Sequence, residues 1–116
     1  MVTRRIEKSK WHFFCDKISK IENLEEKHAQ IEIAGIHLGD EMTAKWLQLF
    51  GISYSPRQDE VEIALKSLRH RIRHPSGIYV EEHANTLLSI CVADRESVLH
   101  VVRLSSPLSF QLEPIG

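Results

Sequence analysis

The 116-residue chain has only two cysteines, five glycines and four prolines, and aromatic residues make up 7% of it. Cys15 and Cys91 stand far apart within apolar patterns. This excludes a disulfide-dense secreted scaffold and favours free thiols acting as small hydrophobes in a reducing compartment. No apolar run approaches the roughly 20 residues of a membrane-spanning helix. The opening Met1-Val2-Thr3-Arg4-Arg5-Ile6-Glu7-Lys8 holds no apolar stretch of signal-peptide length. The expectation is a cytoplasmic protein with no membrane partner. Charge of one sign is scarce too, because 15 Lys and Arg face 16 Asp and Glu for a net charge of −1. With no global field to draw in nucleic acid, an electrostatic partner would have to be met by a local patch.

What the chain does hold is enough apolar residue, 42%, for one core. A domain of this size buries roughly two thirds of the surface that its unfolded form exposes. There is no internal repeat and no low-complexity run, and residues 1–116 read as a single domain. Trp11, Phe14, Cys15, Ile18 and Ile21 recur at spacings of three and four, with Lys10, Asp16, Lys17, Lys20 and Glu22 between them. That pattern predicts a helix over about 7–22, with Ser9 and Asn23 as candidate caps. Residues 23–28 read as a solvated connection.

From Ile31 the period changes to two, which predicts consecutive antiparallel hairpins. Ile31 and Ile33 begin the first strand, and Gly35-Ile36-His37-Leu38-Gly39-Asp40 supplies a turn. A long second strand covers about 42–54, with Gly51 marking a bulge or bend. Ser55-Pro56-Arg57-Gln58-Asp59 turns the chain into a third strand that alternates Val61, Ile63 and Leu65 with charged residues. A fourth covers about 69–81 and is interrupted at Pro75-Ser76-Gly77, which predicts a kink or an edge. The final hairpin, 86–93 and 98–104, carries apolar residues on both faces. Its sheet must therefore be covered twice, by curling, by the N-terminal helix or by a second subunit. The predicted class is α+β, mainly β. An N-terminal helix precedes a five- or six-stranded antiparallel meander over about 29–105, curled into a partly closed small barrel, with an irregular tail over 106–116.

Arg69, Arg71 and Arg73 form the one local cluster of charge suited to a ligand. On a strand they share one face at about 6–7 Å intervals, a ladder fitted to phosphates or carboxylates and hence to nucleic acid. The competing and weightier reading is edge protection, with the arginines paired to Glu60, Glu62 or Glu81 on neighbouring strands. His70 and His74 on one strand face would stand roughly 13 Å apart, too far to share an ion, and the sequence predicts no metal site and no cofactor. A turn centred on Arg95 and Glu96 pairs Cys91 with His100, yet no third member or oxyanion hole accompanies them, so no catalytic residue is assigned. Trp11, Phe13, Phe14, Trp46 and Phe50 are expected in the core.

Several segments together resemble domain of unknown function 5335, a family of small bacterial proteins. The shared features are Thr3-Arg4-Arg5-Ile6, Trp11 with Phe13-Phe14-Cys15-Asp16, Gly35-Ile36-His37-Leu38-Gly39 and Leu49-Phe50-Gly51-Ile52-Ser53, with a looser match at His70, Ile72 and Pro75. The chain departs from the family pattern at Glu7, where the family has Pro, and around 23–28, where its loop is longer. The arginine ladder lies outside the family pattern. The resemblance implies no established activity and carries over no site residue. The functional expectation is a non-catalytic interaction or ligand-binding module that self-associates through a sheet edge or apolar face. The alternative is an anion or nucleic-acid binder using Arg69, Arg71 and Arg73.

Overall fold

Buried and exposed positions alternate along most of the chain, and the computed structural model, which describes residues 2–21, 24–35 and 39–109, is built mainly of strands. In order these are β1 (Val2–Ile6), helix α1 (Trp11–Ser19), β2 (His28–Gly35), β3 (Gly39–Ser55), β4 (Glu60–Leu65), β5 (Leu68–Arg73), β6 (Pro75–His83), β7 (Thr86–Asp94) and β8 (Leu99–Ser109). The strands form one antiparallel sheet in the order β1-β6-β7-β8-β2-β3-β4-β5. Its two ends, β1 and β5, do not pair with each other, so the barrel is only partly closed. No described helix is long and apolar enough to cross a membrane.

The strand count exceeds the expected five or six for two reasons. Residues 2–6, for which the sequence predicts no element, form β1 against β6. The expected fourth strand breaks in two at His74, which adopts a left-handed φ of 52° ahead of Pro75. Without adding a strand, the last one continues to Ser109 beyond the expected start of an irregular tail, and Thr86 and Leu87 pair with Ser109 and Leu108 past a register shift. Residues 110–116 lie outside the described residues, as do Asn23 and the turn residues 36–38.

The helix is shorter than the expected 7–22, running over Trp11–Ser19 after a single 3-10 turn at Lys8–Lys10. Its apolar stripe does what the spacing predicts: Trp11, Phe14, Cys15 and Ile18 are buried. Burial, with a smaller contribution from Asp16, pushes the Cys15 thiol up to about 12, leaving it protonated and inert. The helix also finishes the sheet. β2 stops pairing with β3 at Gln48, and beyond it the Ser19 hydroxyl donates to the Ile52 carbonyl at 2.6 Å and accepts from the Ile52 amide at 3.0 Å. Gly51 permits this approach, since a Cβ there would stand 3.0 Å from Ser19 Oγ. The predicted bulge is present, as a register shift between Leu49 and Gly51.

Of the five aromatic residues expected in the core, only Trp11 and Phe14 are buried; Phe13, Trp46 and Phe50 are exposed. Phe13 lies off the helix stripe, and Trp46 sits at a left-handed φ of 51° within β3, where the regular alternation is lost. The inner face of the sheet packs Ile31, Ile63, Ile72, Ile78, Ile90 and Leu108 with the helix. The curl thus covers one face of the β7–β8 hairpin. On the other face Cys91 and Val101 pair across the hairpin and are half-buried, and Leu99 is exposed.

Candidate functional site

β4 and β5 form a tight hairpin across Lys66 and Ser67, and their register aligns Arg73 with Glu60, Arg71 with Glu62 and Arg69 with Ala64. The arginines therefore share the outer face of the curl with Glu60 and Glu62. Their engagement differs. Arg69 Nη1 donates to Glu62 Oε1 at 2.9 Å, a true hydrogen-bonded pair. Arg71 reaches Glu60 and Glu62 only through Nε, at 3.7 and 3.8 Å, and Arg73 reaches Glu60 through Nε at 3.8 Å. These separations exceed hydrogen-bonding range. Exposed pairs of this kind contribute little stability, and they leave the terminal nitrogens of both guanidiniums available as donors.

On the inner face of β5, His70 reaches across the inside of the curl to β8. Its Nε2 lies 2.9 Å from Nδ1 of His100 on β8, and His100 Nε2 lies 3.0 Å from Asp94 Oδ2. A carboxylate only accepts, so His100 presents an N–H to Asp94 from Nε2, and its Nδ1 shares a hydrogen bond with His70 Nε2. Asp94 is itself fixed by its turn, because Oδ1 accepts the amides of Glu96 at 2.8 Å and Val98 at 3.1 Å. Burial works to raise the Asp94 pKa, but these hydrogen bonds and that from His100 prevail and lower it. Burial, reinforced by the neighbouring His100, pushes His70 down to about 4.

His74 stands where β5 ends. Its amide donates to the Asp59 carbonyl and its carbonyl accepts from the Arg95 amide, both at 2.9 Å. Its Nδ1 approaches Asp59 Oδ2 at 3.3 Å, and Tyr54 donates to Asp59 Oδ1 at 2.9 Å. The tyrosine hydroxyl is the main reason that the Asp59 carboxyl is held below its ordinary range. Left-handed φ values at His74 and Asp59 cost on the order of 1–2 kcal/mol each and persist here because His74 is tied at both its amide and its carbonyl and Asp59 at its carbonyl and its carboxylate. The strain turns His74 out of the strand, so it does not share an inward face with His70 and the two histidines diverge.

These elements enclose a cleft of about 480 Å³ lined by Arg71, Ile72, Arg73, His74, Asp94, Arg95, Glu96 and His100. Of the sequence candidates, Arg71 and Arg73 reach it, whereas Arg69 is occupied by Glu62. Arg95 joins them from the β7–β8 turn, and it makes no ion pair among the described residues. Nothing in the sequence around Arg95 marks it, since only the curl brings that turn to β5. The predicted pairing of Cys91 with His100 is off by one. Cys91 faces Val101 and Val92 faces His100, because the turn from Asp94 to Val98 holds one residue more than a tight reversal. A shift of one residue places the thiol and the imidazole on opposite faces of the sheet.

A model of the family of unknown function (DUF5335) matches residues 2–113. An uncharacterised protein of the bacterium Aquifex aeolicus (strain VF5) is 34% identical over 105 residues, covering 90% of this chain and 93% of the relative. No solved structure matches the chain.

Proposed function

For this chain, which belongs to the family of unknown function DUF5335, we propose a non-catalytic binding module that takes an anionic ligand in the cleft beside β5. The observation that carries the reading is the convergence of Arg71, Arg73 and Arg95 with His74 on one concavity. Guanidiniums stay ionised at every physiological pH and offer paired donors matched to carboxylate or phosphate oxygens. The cleft volume falls within the small-ligand range. Sequence-blind binding of single-stranded nucleic acid draws on a positive groove with stacked aromatics, whereas the positions aligned beside the arginines include the carboxylates Glu60 and Glu62, with one exposed aromatic, Phe50, at the β3 bulge. That composition favours an anion other than nucleic acid.

Isothermal titration with tripolyphosphate and with citrate at low ionic strength tests this. Binding that weakens steadily with added salt, and by at least about tenfold in Arg71→Gln/Arg73→Gln, is the expected result. Absence of heat at low salt, or affinity unchanged in the double variant, overturns the proposal.

A second reading, self-association, draws support from the outer face of β6–β7–β8, where Tyr79, Cys91 and Val101 lie side by side near the exposed Leu99. Light scattering coupled to size exclusion should then show a dimer that Val101→Lys returns to a monomer. A monomer at millimolar wild-type concentration removes that reading.

A further inference from the structure

From the open edge of β5 we infer that the anionic partner is an extended acidic polypeptide segment, which adds as a strand beside Arg69, Arg71 and Arg73. This rests on the anion-binding reading above and specifies its ligand. In an antiparallel ladder, directly opposed residues alternate between pairs that exchange hydrogen bonds and pairs that do not. The His74 amide bonds the Asp59 carbonyl, so the opposed pairs Ile72 with Val61, His70 with Ile63 and Leu68 with Leu65 exchange hydrogen bonds. The backbone N–H and C=O groups of Arg69, Arg71 and Arg73 therefore point away from β4, along the side of β5 that no strand pairs. The same three residues thus supply free strand-edge donors and acceptors and the cationic side chains beside them.

The paired flank shows what chemistry the free flank accepts. β4 reads Glu60-Val61-Glu62-Ile63, setting its carboxylates on the arginine face and its apolar residues inward. A segment with acidic residues at every second position repeats that arrangement on the other side. Its carboxylates meet the free terminal nitrogens of Arg71 and Arg73, and its alternate side chains turn towards Ile72. The cleft provides the room. A second copy of this chain fits poorly. Antiparallel pairing of β5 with itself about Arg71 opposes Arg69 to Arg73, and the other edge, β1, carries Arg4 and Arg5 without an acid. Like charges directly opposed across strands destabilise the pair. Addition of a strand to a sheet edge is an established mode of peptide recognition, with main-chain bonds for affinity and alternate side chains for specificity.

The test uses the full chain and a fluorescein-labelled peptide, Thr-Glu-Val-Glu-Val-Glu-Thr, alongside the same peptide N-methylated at alternate amides. Strand addition predicts an affinity loss of at least about tenfold in whichever N-methyl series blocks the amides facing β5, and a similar loss in Arg71→Gln/Arg73→Gln. Amide exchange at Arg69, Arg71 and Arg73 should slow when the unmodified peptide binds. If tripolyphosphate binds through Arg71 and Arg73 but the peptide does not, the anion site stands and strand addition falls. If neither binds, both fall. Equal affinity for both N-methyl series and the parent peptide overturns strand addition, as does tighter binding of a labelled single-stranded RNA with no slowing at β5.

Discussion

Trp11→Ala should cost this protein about 3–5 kcal/mol, the range for removing a fully buried aromatic side chain, and should lower its urea midpoint by about 1 M or more. Three observations support so large an effect. The indole is 1% exposed at the start of α1. Its Nε1–H donates to the Ile6 carbonyl at 2.9 Å, fastening the end of β1 to the helix. Its ring meets Tyr54 of β3 edge to face, with centroids 5.2 Å apart and planes at 89°. One side chain thus joins the edge strand β1, the helix and the far half of β3. Truncation opens a cavity where the two halves of the curl meet and leaves the Ile6 carbonyl without its donor. Since domains of this size are stable by about 5–15 kcal/mol, the variant approaches the limit of folding. Trp11→Phe retains most of the packing but not the hydrogen bond, and should cost roughly 1–2 kcal/mol. Equilibrium unfolding followed by far-ultraviolet circular dichroism measures both, and a loss below about 1 kcal/mol for the alanine variant would refute this account of the core.

The second large effect is a loss of stability in mild acid. His70 titrates near 6.5 when unfolded, and in the folded chain burial and the adjacent His100 push it down to about 4. A depressed histidine pKa means that the unfolded chain binds the proton first. The stabilisation is therefore complete above pH 6.5 and is lost progressively as pH falls towards 4. At about 1.4 kcal/mol per pH unit the ceiling is roughly 3 kcal/mol, which partial solvent access to the ring reduces to about 1–2 kcal/mol. Asp59 and Asp94, whose carboxyls are lowered, also lose stabilisation in acid, but that loss begins near their unfolded pKa close to 4 and lies below this window. His70→Gln keeps an amide able to hydrogen-bond His100 Nδ1 without a titrating ring. Urea midpoints at pH 7.5, 6 and 5 should fall for the wild type and stay nearly level for His70→Gln; parallel profiles would show that His70 is not the sensor.

Much of this fold is legible along the chain because its signals are local. The spacing of Trp11, Phe14, Cys15 and Ile18 marks the helix face, and alternation at Val61, Ile63 and Leu65 marks β4. β1 is missed because five residues with two arginines at an edge carry no periodic signal, and their strand state is defined by β6 opposite. The extension of β8 past Pro107 is missed for a similar reason. Proline argues against a strand, and the register shift that accommodates it, which sets residues 104–107 of β8 opposite Leu88 alone, can be read only with β7 in place. For the site, the arginine ladder is readable from alternation alone, but its division into a bound Arg69 and freer Arg71 and Arg73 depends on which carboxylate each meets.

The sequence by itself determines that this is a mainly β chain with one amphipathic helix, and that three arginines share a strand face. Hydrophobic periodicity and side-chain alternation act over a few residues and need no partner to be read. Only the tertiary structure decides that the sheet curls without closing, that His70 reaches His100, and that Arg95 comes to the free edge of β5. Those contacts join residues far apart in sequence, His70 with His100 across 30 positions and the Arg95 amide with the His74 carbonyl. They follow from the bends at Gly51 and His74, whose angles are set by packing against Ser19 and Asp59 rather than by their own neighbours in sequence.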